Sequence, residues 1–175
     1  MNEPPEPSLQ LRLNRITSEY ALYFSLNDRN RHTDALSFLA LITDLSLVMF
    51  VKEVLPIVGH HLVERATDFV LDKIVNAARG LADKLSSHVK STHASPQKEP
   101  ASQQLEVLDR ETSELGQLLL EVLRQTNVKE REQATNAGQV AITKLVKTEF
   151  NLPDAKAQGY AVAITNEIRV SISPP

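Results

Sequence analysis

Seventeen consecutive residues, Ala35 to Val51, carry one charge between them, Asp44. A run this apolar belongs either at the centre of a folded domain or in lipid, and the rest of the chain has to be read around it. As a helix it reaches about 25 Å, short of the roughly 30 Å hydrocarbon core of a bilayer. Asp44 near its middle would add about 2.5–3.5 kcal/mol to the cost of insertion. A core helix wrapped by its neighbours gives the same pattern without that penalty, and it is the expected arrangement. On a helical wheel Asp34, Ser37, Asp44 and Lys52 fall in one narrow polar stripe. This stripe is a first candidate site, facing a polar partner or an oligomer's lumen. Pro56-Ile57-Val58-Gly59 predicts a kink or short break after it.

The segments that follow can supply the wrapping. From His60 to about Val89, Val63, Val70, Ile74, Ala77, Leu81 and Leu85 share one face, with Glu64, Asp68, Asp72, Arg79 and Asp83 on or near the other. Residues 90–103, KSTHASPQKEPASQ, have almost nothing to bury and read as a flexible linker or long loop. A further helix over about 103–125 buries Leu108, Leu115, Leu118, Leu119 and Val122. Another, over about 128–149, carries Ala134, Ala137, Gly138, Ala141 and Leu145 on one face. Small residues there let a neighbouring backbone come close, which makes this face a second candidate, for helix packing or self-association. Pro153 suits the first turn of a helix over 153–166.

The two ends alternate. Leu9, Leu11 and Leu13, then Tyr20, Leu22, Phe24 and Leu26, suggest two antiparallel strands within 8–27, and Ile168, Val170 and Ile172 a third over 168–173. The predicted fold is therefore α+β but predominantly helical: four or five helices packed with a small antiparallel sheet formed by the two ends. An unstructured lead-in (1–7), an N-terminal part (8–89), the linker (90–103) and a helical C-terminal part (104–175) pack as one domain in this reading.

Few residues are arranged for chemistry. The chain has no Cys, which excludes disulfides, thiolate metal sites and a cysteine nucleophile. Its five glycines are isolated, so neither a dinucleotide fingerprint nor a P-loop can be built. His60, His61 and Glu64 lack a third ligand, and the acidic series Glu64, Asp68, Asp72 lacks a wrapping loop, so no metal is expected. His88 and His93 read as solvated linker residues. No cofactor and no catalytic residue is expected either. Charge is balanced: residues 1–90 hold ten Lys and Arg against eleven Asp and Glu, so no basic surface offers itself to nucleic acid. Tyr20, Tyr23, Phe24, Phe38 and Phe50 concentrate aromatic mass in the first fifty residues, as core or above a ligand pocket.

The function these features point to is a non-enzymatic helical interaction module, an adaptor, regulatory or self-assembly domain. It would bind a protein partner or its own copy through helix faces, in the cytoplasm or at the periphery of a membrane. A membrane-inserting effector using residues 35–59 is the alternative. A small enzyme or ligand-binding domain with a pocket under the aromatic cluster is the third.

Overall fold

The computed structural model describes residues 4–24, 35–59, 68–94 and 101–173. Among them are seven helices: α1 (Leu9–Glu19), α2 (Ala21–Phe24), α3 (Ala35–Val58), α4 (Asp68–Ala94), α5 (Ala101–Gln125), α6 (Val128–Phe150) and α7 (Asp154–Ile172). The apolar run forms α3, and α1, α4, α5 and α6 all pack on it. Every residue from Leu41 to Val48 is buried, whichever side of the helix it occupies. Such a helix has no solvated face to encode, which is why its sequence lacks an amphipathic pattern. Pro56 sits inside α3 without breaking it. The helix ends two residues later at Val58, and the Gly59 N–H still reaches the Leu55 carbonyl at 2.7 Å.

The sheet expected from the two ends is not there: the described residues contain no strand, and both ends are helical. The cause is a spacing that suits both periods. Residues four apart share a face in a strand and in a helix, so Leu9 and Leu13, Tyr20 and Phe24, and Ile168 and Ile172 fit either. The residue between each pair decides. A strand would bury Leu11, Leu22 and Val170, and they are 48%, 75% and 65% exposed. The buried set is helical instead: Leu9, Leu13 and Thr17 on α1, and Ile164, Ile168 and Ile172 on α7. Ser8 fixes the start of α1, its hydroxyl accepting from the Leu11 N–H at 3.2 Å.

Helix ends and glycines set the remaining geometry. Asn127 caps α6 by accepting from the Glu130 N–H at 2.9 Å. The Arg131 guanidinium reaches back across the α5–α6 turn and donates to the carbonyls of Leu123 and Thr126, both at 2.9 Å, satisfying the open end of α5. Asn151 ends α6 in the left-handed conformation (φ 54°), which lets the Leu152 N–H bond the Val146 carbonyl. Arg12 and Glu167, 3.0 Å apart, tie α1 to α7. The helix expected to stop near 89 runs on to Ala94, and His88 and His93 lie in it. The next begins at Ala101, and residues 95–100 lie outside the described residues.

Candidate functional site

Of the polar stripe, Asp44 is the member the structure explains. Asp34 lies outside the described residues, Ser37 is in the first turn of α3, and Lys52 is half-buried. Asp44 is 5% exposed, and its polar partners come from within the chain. The Gln10 side-chain amide, on α1, donates to Asp44 Oδ1 at 3.3 Å and to the Asp109 carboxylate and carbonyl, on α5, at 3.1 and 2.9 Å. Burial first, and the neighbouring Asp109 carboxylate second, push the Asp44 carboxyl up to about 8. Around neutral pH the centre of α3 therefore holds a neutral acid. It is a polar latch that joins three helices.

A second polar cluster joins α1, α3 and α7. The Tyr160 hydroxyl lies 2.9 Å from Ser46 Oγ and 3.1 Å from Thr17 Oγ1, and Thr43 Oγ1 lies 2.7 Å from Thr17 Oγ1. Burial pushes the Tyr160 phenol up to about 12, so it stays protonated and serves as a hydrogen-bond bridge. The aromatic residues expected to cluster do so around it. Tyr20 and Phe24 pack edge-on against Tyr160, and Phe24 and Phe38 against Phe150. Phe50 stands apart and packs on Gly138.

The small-residue face of α6 points inward. Ala134, Gly138 and Leu145 are buried and Ala137 and Ala141 half-buried; α6 packs on α3 and α7, with Gly138 against Phe50 of α3. His60, His61 and Glu64 lie outside the described residues. Asp68 and Asp72 lie in the first turns of α4. Among the described residues, no group of three or more His, Asp or Glu is placed to hold a metal ion. Nor is any described helix long and apolar enough to cross a membrane.

The surface feature that remains is a cleft of about 460 Å3 between α4 and α5. Ala77, Gly80, Leu81 and Lys84 form its α4 side, and Glu111, Glu114, Leu115 and Leu118 its α5 side. The floor is where core apolar surface reaches the outside: Leu115 and Leu118, on α5, pack on the core yet stay partly exposed. The glycines make the contrast clear. A Cβ on Gly116 would meet Leu47 at 3.2 Å, one on Gly138 would strike the Phe50 ring, and one on Gly159 would come within 2.9 Å of the Tyr20 hydroxyl. A Cβ on Gly80 meets nothing within 4 Å. Glycine inside a helix costs about 1 kcal/mol relative to alanine. At Gly80 no internal contact offsets that cost.

Sequence reasoning missed this cleft because it placed Ala77, Leu81, Leu115 and Leu118 in the core on periodicity alone. The available signal was Gly80, a helix-weakening residue between Arg79 and Leu81. A second cleft of similar size, between α6 and α7, has only Val140 and Val162 as apolar lining, amid Gln, Thr and Lys. Lys147 at its edge is held by Asp154 at 2.7 Å. No known protein family, no curated protein and no solved structure matches this chain.

Proposed function

We propose that the chain is a helical interaction module that binds protein through the α4–α5 cleft. The observation that carries this reading is the empty space over Gly80, set in an apolar floor of Leu81, Leu115 and Leu118 between charged rims. Protein-binding grooves combine apolar anchoring positions with a polar rim that orients the partner. The groove is built on two helices braced by α3, so its shape exists before a partner arrives.

A photoreactive amino acid at Ala77, exposed at the cleft, and the same residue at Gln133, exposed on α6, test the reading. The expected result is protein adducts, with this chain or another, at position 77 and not at 133. Gly80→Leu, whose Cβ meets nothing within 4 Å and whose side chain occupies the space over position 80, should abolish them, with circular dichroism as the folding control. Equal adduct formation at both positions, or adducts indifferent to Gly80→Leu, would contradict it.

A further inference from the structure

We propose that the occupant of the α4–α5 cleft is the same cleft of a second copy of this chain, related by a two-fold axis parallel to the helices. This rests on the cleft being a docking site, as argued above, and names what docks there.

The charges at the rims complement each other between two copies. Lys84 stands on the α4 rim and Glu111 and Glu114 on the α5 rim, and among the described residues no ion pair joins them. The two helices run antiparallel. Each is about 40 Å long, and the connection from Ala94 to Ala101 spans at most about 25 Å. Lys84 and Glu111 each lie ten residues from that connection, so they stand level across the cleft. A two-fold axis along the helices lays α4 of one copy on α5 of the other at the same level. Each Lys84 then faces Glu111 and Glu114 of the second copy. An axis across the helices would set acid on acid, so the charges select one arrangement.

Side-chain size agrees with the charges. The same level-by-level correspondence puts Leu115 opposite Gly80 and Leu118 opposite Ala77, large against small at two successive turns. Two antiparallel helix pairs meeting face to face complete a four-helix arrangement, in which the open space over Gly80 and Ala77 lets the facing helix come close.

Charge reversal tests the pairing. Lys84→Glu and the double variant Glu111→Lys/Glu114→Lys are measured alone and in equal mixture, by size exclusion with light scattering, with helical circular dichroism as the folding control. The wild type should be dimeric at micromolar concentration. Each variant alone should dissociate at least tenfold more readily, and the mixture should restore a dimer holding one copy of each, because both contact sets become opposite in sign. A wild type monomeric at every concentration, or a dimer indifferent to both variants, overturns the proposal. If a charge variant does not fold, Gly80→Leu replaces it and should be monomeric; a dimer overturns the proposal. A monomeric wild type that still gives cleft adducts with another protein would leave the docking reading standing. Absence of cleft adducts of any kind would remove both.

Discussion

The ring of Phe50, on α3, lies so close over Gly138, on α6, that the Cβ glycine lacks would sit 2.3 Å from ring atom Cδ2. Phe50 is fully buried and cannot swing aside, so this contact sets how near α6 approaches the central helix. Gly138→Ala forces the two helices apart. The cost of overpacking, about 1–3 kcal/mol, exceeds the roughly 1 kcal/mol gained in helix propensity, so net destabilisation is expected. Gly80→Ala, with open space around it, should stabilise by about 0.5–1 kcal/mol. Urea melts of the two variants check this: the same substitution should move the midpoint in opposite directions.

The Asp44 carboxyl makes stability depend on pH. It ionises at its ordinary 3.8 in the unfolded chain and near 8 in the fold, so the folded state holds the extra proton between those values. Its contribution is fully present below pH 3.8 and is lost as pH rises to about 8, at up to about 1.4 kcal/mol per pH unit. Asp44→Asn keeps a polar group beside Gln10 and Asp109 but cannot ionise. Denaturation at pH 5 and pH 8 should show the wild type losing stability where the variant changes little. Equal slopes would show that Asp44 titrates like an exposed carboxyl.

Tyr160→Phe removes the hydroxyl that bridges α1, α3 and α7. Ser46 and Thr17 keep partners in their own helices, the carbonyls of Ile42 at 2.8 Å and Leu13 at 3.2 Å, so neither is left unpaired. The expected cost is about 1 kcal/mol, that of one ordinary hydrogen bond. A loss of about 3 kcal/mol or more in thermal or urea melts would mean that the cluster acts as a unit.

The predominance of helix was legible in the sequence, the predicted fold class with its terminal sheet was wrong, and the failures have definite causes. The burial of α3 followed from a run with one charge; the small residues of α6 left helix packing and self-association both open, and only the fold puts Gly138 against Phe50. The ends were misread because Leu9 and Leu13, or Ile168 and Ile172, satisfy two periods at once. Only the exposure of Leu11, Leu22 and Val170 separates the readings, and exposure is a property of the assembled fold. The partners of Asp44 were hidden for a related reason: Gln10 precedes it and Asp109 follows it, both on other helices far from it in sequence. The cleft exists because α4 and α5 pack on α3 without closing on each other. Gly80 was its one local trace.

Sedimentation equilibrium of the wild type and of Gly80→Leu over a wide range of concentration decides whether the α4–α5 cleft holds a second copy of the chain. The wild type should be a reversible dimer. Gly80→Leu, folded by circular dichroism, should be a monomer. A wild type that is monomeric throughout, or a Gly80→Leu variant that dimerises as tightly as the wild type, would contradict the dimer.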